Sequence, residues 1–440
     1  MTEPTAASPF VWVERLFTAL EAPLPPAEHR DIHVGDEMLL HGLERSQGDL
    51  DLASLEYWAS GLQVARTLTA VADWRFGGWA KVPSFLDFGG GYGRVMRHLL
   101  AAGLRPDAAA VAEVLPEALS FQQEVLGVRG FASAATPAGL DLEARSFLYA
   151  GSLFTHLPGE TFPLWLEALL QALAEDGVLV FSVHDPSLMP PELRFLIDAD
   201  SGLAFHATSE NLELDPEQYG STWVTEGYVA GLLKQLAPGC STRYLPRGLC
   251  NYQDLWIVAR GGVGTVVDID GGGQGALELA RLEGRRLRLA GWALHRSPAH
   301  ELIEVEALVD GRSVGATHAF YARPDLLPNL GDVGLPAADE DEDRYRNSGW
   351  EIEIESLGDL RRGSSQLVLV LRSSGGNHVP LFAGSLESAL YLATRENHHR
   401  KVDEVKLLET RIDAMRRSRF WRLRDRWFAV KRTLGLTDQP

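Results

Sequence analysis

Ten residues, FLDFGGGYGR (85–94), constrain the fold of this chain more than any others. A short apolar run carries Asp87 near its end, glycines follow at the alternate positions 89, 91 and 93, and a helical pattern over 93–103 begins at once. Glycines in such a turn let the backbone reverse tightly and approach a ligand with no Cβ in the way, beside a helix N-terminus that offers unpaired N–H groups. No Lys-Ser or Lys-Thr follows the glycines, which excludes a triphosphate-binding P-loop. Glu113 stands at the end of the next apolar run and is suited to accept both hydroxyls of a ribose.

Short apolar runs alternate with longer helical ones around this motif. Strands are expected at 85–88, 108–114, 147–154 and 178–184, and helices at 93–103, 116–127, 162–177 and 225–236. An antiparallel pair at 242–246 and 254–260 closes the series. Uniformly apolar strands separated by amphipathic helices imply an α/β fold, a parallel sheet covered on both faces. Upstream, 11–20 and 52–71 carry helical periodicity, and EAPLPP (21–26) stops the first of them. These segments read as a lid or leader.

The pattern changes at 261–275 (GGVGTVVDIDGGGQG), which reads as a linker. Beyond it, 286–295, 303–311, 313–320, 351–357 and 367–373 carry strand patterns, several alternating polar and apolar residues, without a useful helical run between them. An all-β sandwich of about 120 residues is expected. The acidic run ADEDED (338–343) reads as a solvated loop, since its acids lack the spacing of a calcium loop. The chain therefore divides into leader helices (1–49), an α/β domain (50–260), a smaller β-sandwich domain (261–390) and a helical tail (391–440).

Charge and cysteine content limit the partners. Only Cys240 and Cys250 occur in 440 residues, against a disulfide framework or a thiolate zinc cluster, and the scattered histidines, His398 and His399 included, suggest no metal. An acid sits in the first residues where a signal peptide would carry positive charge, and no uninterrupted apolar run reaches membrane-span length, so a cytoplasmic protein is expected. The formal net charge of −19 argues against a general nucleic-acid binder. That charge is uneven. Between 411 and 432 nine basic residues face two acids, and Phe420, Leu423, Trp427, Val430 and Leu434 form one helical stripe. Such a basic amphipathic helix suits peripheral contact with an anionic membrane, docking onto the parent domain, or contact with another subunit in an oligomer.

The segment LDFGGGYGRVMRHL resembles motif I of the class I S-adenosyl-L-methionine-dependent methyltransferases. Together with YAGSLFTHL (149–157), 165–184, YGSTWVTEGYV (219–229) and YQDLWIV (252–258), it is similar to bacterial methyltransferases of the methyltransferase-12/25 type, many of them linked to glycan assembly. Gly90 stands where such members commonly have cysteine. The resemblance covers roughly 50–260 and implies a Rossmann-like class I methyltransferase sheet with S-adenosylmethionine as cofactor. The strands from 290 on resemble a small sandwich module of bacterial sugar-handling transferases, with RPD (323–325) part of the likeness, and the tail resembles C-terminal segments of glycan-assembly proteins.

Carried onto this chain, the resemblance places Asp87 near the methionine end of the cofactor, with Gly89, Gly91 and Gly93 as the wall around it. Glu113 would hold the ribose, and the adenine would meet the loop at 130–134. Arg94 would pair with a carboxylate or make a structural salt bridge, and Tyr57 would touch the methionine portion or pack in the core. Ser152, Phe154, Thr155 and His156 follow the strand where such enzymes place the reacting methyl group. For an oxygen acceptor a base is useful, and His156 is the first choice because neutral imidazole takes a proton near pH 7. The other reading makes it a capping or core histidine. His184 is the second choice and Asp185 the third. Tyr219 and Trp223 would form a flat wall for a sugar or pack beneath a loop.

The function expected is O-methylation of a sugar hydroxyl on a sugar, glycan or glycolipid substrate. N-methylation, small-molecule O-methylation in secondary metabolism, and a non-catalytic adaptor remain open. A nicotinamide-dependent oxidoreductase is disfavoured by the spacing of Asp87 and the three glycines.

Overall fold

The computed structural model describes residues 12–140, 142–198, 200–208, 215–261, 269, 272–295, 301–326, 345–355 and 365–390. The basic tail, the ADEDED run, His398–His399 and most of the expected linker lie outside the described residues. Three helices lead into the first strand: α1 (Val13–Ala19), α2 (Glu37–Arg45) and α3 (Leu50–Phe76). There follow β1 (Phe85–Phe88), α4 (Met96–Ala101), β2 (Ala109–Glu113), α5 (Pro116–Val125), β3 (Arg129–Ala132) and β4 (Arg145–Ala150). Next come α6 (Phe162–Gln171), β5 (Leu173–Val183), β6 (Leu203–His206), β7 (Ser221–Val224), α7 (Glu226–Leu236), β8 (Ser241–Leu249) and β9 (Gln253–Ala259).

Seven of these strands form one sheet in the order β3-β2-β1-β4-β5-β9-β8. The first five are parallel, and β9 runs antiparallel to both β5 and β8. This is a Rossmann-like sheet with an antiparallel pair at one edge. β1, β2 and β4 are buried along their whole length because both faces are covered. Leu68, Val71, Met96 and Leu99 of α3 and α4 pack on one face. Leu166, Leu169, Val229 and Leu233 of α6 and α7 pack on the other. Strand order reverses between β1 and β4, and a crevice opens at the carboxyl ends of strands there.

Two of the boundary differences from the sequence expectation bear on the site. The helix expected over 162–177 ends at Gln171, and LAEDG already belongs to β5, bulged where Arg145 pairs Leu173 but Phe147 pairs Val178. Arg260 explains the early stop: its guanidinium donates to the carbonyls of Leu170 (3.0 Å) and Leu173 (2.7 Å), satisfying groups that a continuing helix would have used. The strand expected over 147–154 ends at Ala150, because Ser152 adopts φ +59° and turns the chain outward.

Among the described residues eight further strands follow: β10 (Gly273–Glu283), β11 (Arg286–His295), β12 (Leu302–Val309), β13 (Arg312–Thr317), β14 (Tyr321–Ala322), β15 (Asn347–Ile354), β16 (Gln366–Ser373) and β17 (Val379–Ser385). They form sheets ordered β10-β11-β15-β14 and β13-β12-β16-β17. Leu277, Leu289 and Ile352 of one sheet share a core with Val305, Leu369 and Phe382 of the other, a sandwich-like arrangement. The glycines read as linker at 273–275 are strand residues. A Cβ on Gly275 would lie 2.3 Å from the Trp292 carbonyl oxygen, so glycine serves close strand approach there and not a turn. α3 joins the two parts: Trp58 and Leu62 pack with Trp12 and Phe17 of the leader and with Val368, Val370 and Ala383 of the sandwich.

Candidate functional site

The carboxyl ends of β1, β2, β4 and β5 open into a cavity of about 890 Å³, ample for a small ligand and part of an acceptor. Asp87 lies in its floor, 2% exposed, with no hydrogen-bond partner among the described residues. Burial first, and then the Glu113 carboxylate, push its acid up to about 7, while Arg94 pulls it down. An unpartnered buried carboxylate is costly, and it marks a place where a cationic donor would be stabilised.

Gly89 and Gly91 border the cavity beside Asp87. The turn they form is tied down by side chains from the neighbouring elements. Glu113 accepts the Gly91 N–H on Oε2 (2.7 Å), and on Oε1 those of Val114 (2.7 Å) and Leu115 (3.0 Å). Gln122 of α5 donates to the Gly91 carbonyl at 2.7 Å. Arg94 reaches back to α3, donating to Ser60 Oγ at 2.8 Å, and both residues line the cavity. Ser133, Ala134 and Ala135 after β3 complete this side, with Trp165 Nε1 donating to the Ala135 carbonyl at 3.2 Å.

A second polar group gathers at the ends of β4, β5 and β9. Ser152, held in the left-handed region, donates its N–H to Ser182 Oγ (2.8 Å). Gln253 Oε1 accepts from Ser182 Oγ (2.6 Å), and its Nε2 lies 2.9 Å from Ser152 Oγ and 3.3 Å from His184 Nε2. Burial, then the nearby His156 and Arg247, hold the His184 imidazole down to about 3, so it stays neutral and accepts protons weakly. His156 lines the cavity with its ring stacked on Tyr219 at 4.4 Å. Its Nδ1 lies 2.8 Å from the Gly220 carbonyl oxygen; that acceptor requires the proton on Nδ1 and leaves Nε2 as the acceptor nitrogen.

Of the residues singled out from sequence, Asp87, Gly89, Gly91, Arg94, Glu113, Ser152, His156, His184 and Tyr219 meet around this one cavity. Six do not reach its wall. Tyr57 stands just behind the lining, donating its hydroxyl at 2.8 Å to Asp36 Oδ2, and Asp36 is itself a lining residue; its ring packs in the leader contact. Phe154 is fully buried against Phe162 and Phe181. Gly93 serves helix packing, since a Cβ there would sit 2.4 Å from Leu126 Cδ1 of the α5 region. Trp223 packs with Met189 and Ala204 beneath the β6–β7 ribbon. Asp185 caps the turn after β5, accepting from the Ser187 N–H at 2.8 Å with Arg247 beside it. Thr155 is likewise buried, donating to the Ser152 carbonyl at 2.5 Å.

Sequence reasoning missed Gln253, Gln122, Ser60 and Arg97. Arg97 is wholly buried, donates to the carbonyls of Asp31, Tyr92 and Gly93, and lies 5.6 Å and 5.5 Å from the rings of Tyr57 and Trp58. It fastens the leader to the glycine turn. Only the helical spacing of Arg94 and Arg97 hinted at it.

No family model matches this sequence, and no curated protein matches it. Solved structures with a similar fold include the plantazolicin methyltransferase BpumL in complex with SAH, 13% identical, covering 51% of this chain and 97% of that one with a TM-score of 0.34. A 1,6-didemethyltoxoflavin-N1-methyltransferase from Burkholderia thailandensis is 17% identical and covers 53% of this chain and 93% of its own, with a TM-score of 0.32. An O-methyltransferase family protein from the same organism is 13% identical, with coverages of 57% and 69% and a TM-score of 0.34. Among the described residues there is no group of side chains that would hold a metal ion, and no helix is long and apolar enough to cross a membrane.

Proposed function

We propose that this protein is an S-adenosylmethionine-dependent methyltransferase that methylates a sugar hydroxyl. The observation that carries the reading is the electrostatic character of the glycine turn. Its Gly91 N–H is already spent on Glu113, and Asp87 stands beside it as a buried, unpartnered acid. Two carboxylates at the turn repel the pyrophosphate of a dinucleotide and suit a ligand that carries cationic charge and no phosphate.

When bound, S-adenosylmethionine supplies a methyl group on a positively charged sulfur. The residues present fit it. Asp87 is the partner for its ammonium group, and Arg94, anchored on Ser60, for its carboxylate. Glu113 uses three backbone donors and keeps acceptor capacity for ribose hydroxyls. The Ser133–Ala135 strip is an uncharged edge for the base. On the acceptor side His156 Nε2 takes the hydroxyl proton, while His184 and Gln253 hold the Ser152 loop in shape. Tyr219 and the half-exposed Tyr252 present aromatic rings, and Gln253 and Ser152 present hydroxyl-binding groups, a combination suited to a sugar.

The test is binding followed by transfer. S-adenosylmethionine should bind at least tenfold more tightly than a nicotinamide dinucleotide; equal affinities would overturn the methyltransferase reading. Transfer of labelled methyl groups to host glycan extracts should follow. His156→Gln should lower kcat by about 10²–10⁴-fold with cofactor affinity retained. Transfer only to a nitrogen, or only to a small aromatic hydroxyl, would keep the methyltransferase and overturn the sugar.

A further inference from the structure

The cavity does not end at the acceptor pocket. One stripe of α3, running through Ser60, Gln63 and Thr67, lines it away from the Arg94 contact for about 10 Å of helix. Packed against α3, with Cys250 Sγ 3.5 Å from the Ser60 carbonyl oxygen, the β8–β9 turn, 248–253, continues the lining, and its Gln253 end belongs to the Ser152–His184 network. Cys250 and Asn251 hold that turn in the left-handed region, with the Tyr252 N–H donating to the Leu249 carbonyl, so the wall is a tight and defined hairpin. At its far end the sandwich joins the lining, with Gln274 at the start of β10 and Val379 and Pro380 at the start of β17.

The chemistry of this far end differs from that of the cofactor end. Its polar lining offers carboxamides and a hydroxyl, with Arg66 as the charged group, which donates to the His378 carbonyl at 2.6 Å. Asp87 and Glu113 belong to the cofactor end. Gln274 Nε2 is buried with no hydrogen-bond partner among the described residues. A buried amide donor left unmatched is costly, and turning the carboxamide toward the cavity to meet a ligand hydroxyl would relieve it.

We propose that the acceptor is an extended, hydroxyl-bearing chain, and that a unit remote from the methylated one is held between α3 and the sandwich by Gln63 and Gln274. Carboxamides suit this task because each presents a donor and an acceptor side by side, matching neighbouring hydroxyls without demanding charge. The sandwich strands thereby become part of the substrate site, reading acceptor length. This inference rests on the sugar methyltransferase reading above and deepens it.

The experiment uses the full chain, labelled S-adenosylmethionine, and a mild-acid hydrolysate of the host's surface glycan fractionated into one-, two- and four-unit pieces. The native protein should show kcat/KM at least tenfold higher for four units than for one. Gln274→Leu and Gln63→Leu, each checked for an unchanged melting temperature, should bring that ratio down to about one while cofactor affinity holds. The second variant, on a helix, guards against local disturbance of β10 by the first. Equal kcat/KM across the fractions in the native protein, or an unaltered ratio in both variants, would overturn the proposal and leave the methyltransferase intact. Cofactor binding with no transfer to any fraction would instead overturn the sugar reading, and this inference with it.

Discussion

Asp87 links the cavity to pH. Its folded acid sits near 7, above the ordinary carboxylate value, chiefly because burial disfavours the charge. The folded protein therefore binds a proton that the unfolded chain releases between about pH 4 and 7. The stabilisation is fully present below that window and is lost as pH rises through it, at about 1.4 kcal/mol per pH unit. A cationic ligand that requires the carboxylate must expel this proton. S-adenosylmethionine affinity should thus rise from pH 6 to pH 8. Calorimetry near pH 6.5 in two buffers of different ionisation enthalpy should detect proton release on binding. Asp87→Asn should remove that release and weaken binding by about 10–100-fold, the loss of a charge-assisted hydrogen bond. Undiminished proton release in the variant would assign the proton to another group.

At the scale of elements, the glycine turn is positioned by Arg97 of α4. Its guanidinium takes the carbonyls of Asp31, Tyr92 and Gly93 and faces two aromatic rings, so a single side chain spans leader, α3 and turn. Arg97→Met keeps the volume but takes the side-chain donor from three carbonyls, of which Gly93's retains the backbone N–H of residue 97, and removes the cation–π contacts. It should cost about 2–4 kcal/mol by chemical denaturation. Faster hydrogen exchange should appear at Gly91 and Gly93 while the β4 amides remain protected. This contact shows what the sequence could and could not convey. β1, β2 and β4 were legible because a strand buried on both faces must be apolar throughout. The Asp87 and Glu113 placements followed from strand ends alone. β10 was obscured because glycine in a close strand pair is written with the same letter as glycine in a linker. The exact places of Tyr57 and Phe154 were not legible for another reason: periodicity groups residues on a face but does not say which of several neighbours that face meets. Gln253, a lone polar residue opening a strand, had no pattern to announce it; only the folded contacts gather Ser152, Ser182 and His184 around it.

Across the whole molecule, the sandwich and the seven-stranded sheet do not merely sit side by side. Trp12, Leu16 and Phe17 of α1 and Trp58 and Leu62 of α3 form one apolar cluster with Val368, Val370 and Ala383 of the sandwich. Asp51 reinforces it, accepting from Trp12 Nε1 (3.1 Å) and from the Ser385 N–H (3.0 Å). Domains joined by small polar interfaces move and melt independently, whereas a shared buried core couples their unfolding. Since α3 also carries Ser60 and Gln63 of the cavity wall, damage to the sandwich should reach the cofactor. Val370→Asp buries an unpaired charge in the shared cluster and should cost about 3 kcal/mol or more. Tryptophan fluorescence and far-ultraviolet circular dichroism should follow one coincident thermal transition in the native protein. The substitution should lower that transition as a whole and weaken S-adenosylmethionine binding at temperatures near it. Two resolved transitions, with only one displaced by the aspartate, would show that the two sheet systems fold separately and that the cluster is a contact and not a common core.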